Sequence, residues 1–152
     1  MKSKEYFIES INHIKTSERM TYYIYPIIDD KRFILKILDS INKSLFSLFQ
    51  SILINDNLDK KLKNSKQDKD FLKNYSIKIR KKYNLSNKDI KTIHKLINLS
   101  IIRKKSAIDI VKDKKIILMM EDLNTFVLEI SSIKEYITFM KNLQKKVEFI
   151  IK

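Results

Sequence analysis

Acid–base, nucleophilic and metal chemistry draw on a few side-chain types, and this chain supplies them sparsely. Histidine occurs only at His13 and His94, and there is no cysteine. Two separated imidazoles with no thiolate to join them do not make a structural zinc site, and no HExxH pair is present. His94 falls on the apolar face of a helix beside Ile90 and Ile97, where a packed, hydrogen-bonded imidazole is the expectation. His13 falls opposite the main apolar stripe of its own helix. Adjacent carboxylates at Asp29-Asp30 and Glu121-Asp122 have the proximity for acid–base work, but both pairs sit among turn signals and are expected as caps or turn residues. No GxSxG elbow exists, and glycine is absent altogether. Without glycine, a sharp nucleophile turn is hard to build and glycine-rich phosphate loops are excluded. The expectation is no catalytic residue, no metal, no cofactor and no enzyme activity.

Glu18-Arg19 lies beside Tyr22, Tyr23 and Tyr25, the densest polar–aromatic cluster in the chain. Glu18 falls on an apolar helix face and calls for a cation from another element, with Arg80 or Arg32 as candidates. Glu18, Arg19 and Arg80 are therefore candidate members of a buried ion pair, or of a ligand pocket.

The 152 residues carry a formal net charge of +14, with a single proline at Pro26. Its distribution is uneven. Residues 1–59 hold 8 Lys+Arg and 8 Asp+Glu, and residues 116–152 hold 5 of each. Residues 60–115 hold 19 basic and 5 acidic side chains, the whole excess. A base-composition bias toward lysine would not confine the charge to one third of the chain, so an anionic partner is indicated. Candidate nucleic-acid contacts are Lys73, Arg80, Lys81, Lys82, Lys88, Lys91, Lys95, Arg103, Lys104 and Lys105, with Lys60, Lys61, Lys63 and Lys66 beside them. Such a surface supplies sequence-independent, salt-sensitive affinity for phosphates. Only four of the basic residues are arginine, which argues against base reading by bidentate contacts.

The elements that must position these groups follow from apolar spacing. Phe33 to Ile54 carries Phe33, Ile34, Ile37, Leu38, Ile41, Leu45, Leu48, Phe49, Ile52 and Leu53 on one wide face, a helix that others must cover. A first helix runs from Ser3 or Lys4 to Tyr25, with Phe7, Ile8, Ile11, Ile14, Tyr22 and Tyr25 on one side and Pro26 as its stop. Asp29 or Asp30 is placed to cap the second helix. The stretch about 57–69 reads as a polar, flexible link, whether loop, frayed helix extension or partly disordered segment. A third helix spans about Asp70 to Tyr83, burying Phe71, Leu72, Tyr75 and Ile79. A fourth opens on Ser86 and Asp89, which resemble a capping box with Asp in place of the usual Glu, and runs to about Ile102, with Ile90, Ile93, Ile97 and Ile101 inward. Residues 115–131 suggest a β-hairpin around Glu121-Asp122-Leu123-Asn124, with a continued helix as the alternative. Ser132 with Glu135 is a clean capping box, opening a last helix that buries Ile133, Tyr136, Ile137, Met140, Leu143, Val147 and Ile150. The fold class is mainly α: a single domain over 1–152, about five helices in a bundle, with a small β-hairpin before the C-terminal helix.

The longest nearly uncharged run, Ser44 to Asn55, falls short of the roughly 20 residues a membrane-spanning helix needs. The N-terminus has no secretory pattern. A cytoplasmic location without a membrane partner is the expectation. His13-Ile14, Tyr23-Ile24-Tyr25-Pro26 with Asp29 or Asp30, Arg80-Lys81-Lys82-Tyr83-Asn84 and Lys105-Ser106-Ala107-Ile108-Asp109 resemble a group of small helical archaeal proteins of no known activity. The resemblance implies a helical fold and an archaeal-type cytosolic setting. Ala107 replaces a proline expected in that group, and Ser17-Glu18-Arg19 replaces its small and acidic residues. The Arg-then-His spacing of HEPN-type helical ribonucleases is absent after Arg19, Arg32, Arg80 and Arg103, so any likeness to that group would be architectural. Together these features point to a non-enzymatic helical domain that binds RNA, or an RNA–protein assembly, through residues 60–115. The alternative is a protein-interaction module or a homo-oligomeric structural subunit.

Overall fold

A computed structural model describes residues 2–28, 30–58, 60–63, 65–106, 108–113 and 115–151, with Ile108 described as backbone alone. The second helix of the sequence, α2 (Phe33–Asn55), is the axis around which the rest is packed. Its apolar face buries Ile34, Ile37, Leu38, Ile41, Leu45, Leu48 and Leu53 completely, as the 3.6-residue spacing requires.

Helix α1 (Ser3–Arg19) runs antiparallel to α2 along a seam of serines. Ser3, Ser10 and Ser17 recur every seven residues and all are buried. The Ser10 and Ser44 hydroxyls each donate to the other residue's carbonyl at 2.8 Å, and Ser3 and Ser51 repeat the exchange at 2.7 Å. Gln144, from the last helix, donates to both Ser10 Oγ and Ser44 Oγ at 3.0 and 3.2 Å. Small side chains let two backbones approach, and reciprocal hydrogen bonds satisfy the hydroxyls of Ser3, Ser10, Ser44 and Ser51. The buried face of α1 is therefore displaced from the expected apolar stripe: Phe7 and Ile14 are in the core, while Ile8 and Tyr22 are exposed. The α-helical ladder also stops at Arg19. Met20–Ile24 forms a π-helical turn, with the Tyr25 amide donating to the Met20 carbonyl, before Pro26 ends the element.

Helices α3 (Lys66–Lys78) and α4 (Asn87–Lys105) pack together, and α4 packs against α2. α3 begins inside the expected link rather than at Asp70, because Ser65 caps it by accepting from the Asp68 amide. Phe71 is half-buried, and Leu72, Tyr75 and Ile79 are buried as expected. The Ser86–Asp89 capping box of α4 forms with both hydrogen bonds in place, and the helix continues three residues past Ile102. Ile93 and Ile97 are buried there; Ile90 and Ile101 are half-buried, and Leu96 and Leu99 complete the packing.

Three strands follow where two were expected. β1 (Ile108–Lys112), β2 (Lys115–Met119) and β3 (Thr125–Leu128) form an antiparallel sheet in that order. Ile110 pairs with Ile117, which pairs with Val127 on its other side. Ile116, Leu118 and Leu128 turn into the core. The hairpin of β2 and β3 matches the sequence; β1 was hidden by the lysines around Ile-Asp-Ile-Val.

Helix α5 (Ile130–Glu148) starts two residues before the expected Ser132 cap. Its N-cap is Glu129, and no side chain caps it, so the Ser132–Glu135 capping box does not form. Ile133, Tyr136, Ile137, Met140, Leu143 and Val147 are buried as its spacing predicts, and Ile150, beyond the helix, is half-buried. Asp30 likewise does not cap α2. It accepts from the Arg32 amide in the preceding turn, and the N-cap position is Arg32 itself; Asp29 lies outside the described residues. With no glycine available, Asn57 takes the left-handed conformation at the end of α2, as do Asn84 in the turn between α3 and α4 and Asp113 between β1 and β2. Leu123, at φ 68° in the loop after β2, takes it without the local hydrogen bonding that favours Asn or Asp there. No described helix is long and apolar enough to cross a membrane.

Candidate functional site

The core-facing side of α2 is apolar, but its polar stripe does not face open solvent. Asp39, Asn42, Lys43, Phe46, Ser47 and Gln50 succeed one another at helical spacing and form the floor of a cleft of about 770 Å³. Tyr6 and His13, seven residues apart on α1, form one wall; Ser100, Arg103 and Lys104 at the end of α4 form the other. Lys61 and Leu62 close the rim, held there by Gln50, whose amide donates to the Lys60 carbonyl at 3.1 Å and accepts from the Leu62 amide at 2.8 Å. Four cations and one carboxylate thus surround a space of small-molecule size.

Two titratable groups in the cleft are displaced from their ordinary behaviour. Burial, helped by the Lys43 ammonium, lowers the pKa of His13 and keeps its ring neutral near pH 7. Burial raises the Asp39 pKa, against the pull of Arg103 and Lys43. Arg103 Nε approaches Asp39 Oδ1 only to 3.6 Å, beyond hydrogen-bond distance, and is buried with no hydrogen-bond partner. Asn42 is 6% exposed, and its Oδ1 is buried without a partner. An amide in that state has lost its water and gained nothing in exchange. His13 was expected only as a residue off its apolar stripe, and Asn42 not at all. The i, i+3, i+4 run of polar residues along α2 was the available signal.

The expected basic surface is divided by the fold. Lys88, Lys91, Lys95 and Lys105 share one outer stripe of α4 by helical register. Lys95 lies 5.9 Å from the Tyr136 ring of α5. Arg80, Lys81, Lys88, Lys91 and Lys105 are exposed and make no ion pair among the described residues. Lys73 is half-buried on α3; its carbonyl lies 3.0 Å from His94 Nε2, which also meets Ser76 Oγ at 3.1 Å, the packed, hydrogen-bonded imidazole expected from sequence. Arg103 and Lys104 turn inward to the cleft instead. Lys82 pairs with Asp56, the C-cap of α2, which also accepts from the Tyr75 and Tyr83 hydroxyls. Burial and the Asp56 charge push the Tyr83 pKa up to about 12. Lys69, 2% exposed, has no counter-ion among the described residues; burial and then the nearby Lys104 and Lys105 lower its pKa. The α3–α4 pair thus stores positive charge that its own carboxylates do not neutralise.

Glu18 does not pair with Arg80 or Arg32. It meets Lys141 of α5 at 3.2 Å in a partly exposed bridge, since α5, not α3, lies against that end of α1. Arg32 pairs with Asp109 of β1, and Arg19 donates to Thr16 at 3.4 Å. Glu18, Arg19, Tyr22 and Tyr23 line only a shallow surface depression. Among the described residues no group of three His, Cys, Asp or Glu side chains is placed to hold a metal ion. No protein-family model matches the chain, and no curated protein or solved structure is significantly similar to it.

Proposed function

We propose that this chain is a non-enzymatic helical domain that binds RNA through the outer face of α4 and the α3–α4 turn. The observation that carries this reading is the exposed set Arg80, Lys81, Lys88, Lys91 and Lys105, unpaired among the described residues, in a segment holding the entire charge excess. Phosphates displacing counterions from such a face bind with little regard for sequence. The test is fluorescence anisotropy with a generic single-stranded RNA at about 50 and about 200 mM salt. Affinity is expected to fall by about tenfold or more across that range. It is also expected to weaken further in the Lys88→Glu/Lys91→Glu double variant. RNA binding that is absent at the lower salt, or indifferent to salt, overturns the reading.

A second reading rests on a separate patch. Tyr23 and Ile27 are 72% and 84% exposed beside Tyr22, Ile24 and Ile28, at the π-helical end of α1. An apolar cluster of this kind suits a protein partner or a second copy. Light scattering across concentration separates the cases: a constant monomer mass removes the second copy.

A further inference from the structure

We propose that the cleft between α1, α2 and α4 is a binding site for a nucleoside monophosphate, separate from the outer basic face. Asn42 carries the argument. Its side chain is nine-tenths buried on the cleft floor, its Oδ1 is unpartnered, and its amide makes no side-chain hydrogen bond among the described residues. A planar amide pairs a donor with an acceptor, the pattern that a nucleobase edge complements with two hydrogen bonds once a turn of the Asn42 side chain brings its buried Oδ1 to the cleft. Phe46 and Tyr6 supply apolar, aromatic wall beside it, as a stacked base requires. Lys43, Lys61 and Arg103 lie on the same cleft, and Arg103 Nε is itself buried without a hydrogen bond. A phosphate there would meet the Lys43 and Lys61 ammonium groups, which make no ion pair among the described residues. The cavity, about 770 Å³, falls in the range that encloses a ligand of this size. Inorganic phosphate alone would leave Asn42 unpaired, and a nucleoside alone would leave the cations unpaired. Asp39 opposes an anion: burial raises its pKa, while Arg103 and Lys43 favour its charged form.

Isothermal titration calorimetry with the four nucleoside monophosphates, the matching nucleosides and inorganic phosphate tests this. At least one monophosphate is expected to bind about tenfold or more tightly than both its nucleoside and inorganic phosphate. Lys61→Ala, at an exposed rim position, is expected to weaken it, and Asp39→Asn to tighten it. Asn42→Ala is expected to erase the preference among bases; should that variant melt early by circular dichroism, the Lys61 and Asp39 variants decide. Lys88→Glu is expected to leave nucleotide binding unchanged. No monophosphate binding, binding no tighter than that of phosphate, or a loss in Lys88→Glu but not in Lys61→Ala overturns the proposal. The outcomes separate the two sites: nucleotide binding without RNA binding removes only the outer-face reading, and the reverse removes only this one.

Discussion

Asp68 shows how one side chain converts an apparently featureless polar run into structure. Its carboxylate, within the first turn of α3, accepts from the Lys63 amide at 2.6 Å and lies 3.4 Å from the Lys60 ammonium. The Lys63 hydrogen bond first, and then Lys60, hold its pKa below the ordinary carboxylate value despite burial. A carboxyl with a depressed folded-state pKa contributes stability that is fully present above the unfolded value. That contribution is lost as pH falls from about 4 through the folded value. Asp68→Asn is therefore expected to cost about 1.5–3 kcal/mol at neutral pH and to flatten the acid limb of the stability profile below about pH 4. Urea unfolding from pH 2 to 7 checks it; equal slopes for the variant and the parent would show that the carboxylate contributes nothing special. The same few residues explain why sequence reasoning placed the α3 start too late. Asp68 and Lys69 are buried charged residues, and charge in a polar run reads as solvent exposure until a partner is known.

At the scale of elements, the α1–α2 seam is the clearest case of a contact that hydropathy does not reveal. A serine every seventh residue scores as polar, yet Ser10 and Ser44 are fully buried because they face one another and Gln144. Ser10→Leu is expected to destabilise the fold by about 1–3 kcal/mol, since added methylenes have no space where two backbones approach. Ser10→Ala, which keeps the volume and loses the hydrogen bonds, is expected to cost about 0.5–1.5 kcal/mol. Chemical denaturation of both variants gives the comparison, and a leucine that costs no more than the alanine would deny that the seam is tight. The apolar face of α2, the Ser86–Asp89 cap and the inward residues of α5 were legible because one local rule sufficed for each. The caps proposed at Ser132 and Asp30 failed because a cap motif states what a residue can do, not where the preceding strand or turn releases the chain.

Over the whole molecule, the charge excess confined to residues 60–115 survives folding only in part. Asp56, Asp68 and Asp39 neutralise Lys82, Lys60 and, more loosely, Arg103. The rest of α3 and α4 repels itself, and Lys69 beside Lys104 and Lys105 is its sharpest point. Raising salt from about 50 to about 500 mM is thus expected to increase Tm by about 2–4 °C, the shift that about 1 kcal/mol makes in a domain of this size. Scanning calorimetry reads it, and a Tm that is constant or falls would mean that the lysines are already compensated.

Sequence alone determined the helical class, the central helix and the location of the charge, because each depends on residue type and on spacing within one element; it suggested the β-hairpin but left a continued helix open. Tertiary structure alone decided that the polar stripe of α2 floors a cleft, that Arg103 turns into it while Lys88 and Lys91 stay outside, and that Glu18 meets Lys141. Those outcomes depend on which helices become neighbours. That choice is made by the summed packing of many side chains, and no single spacing encodes it.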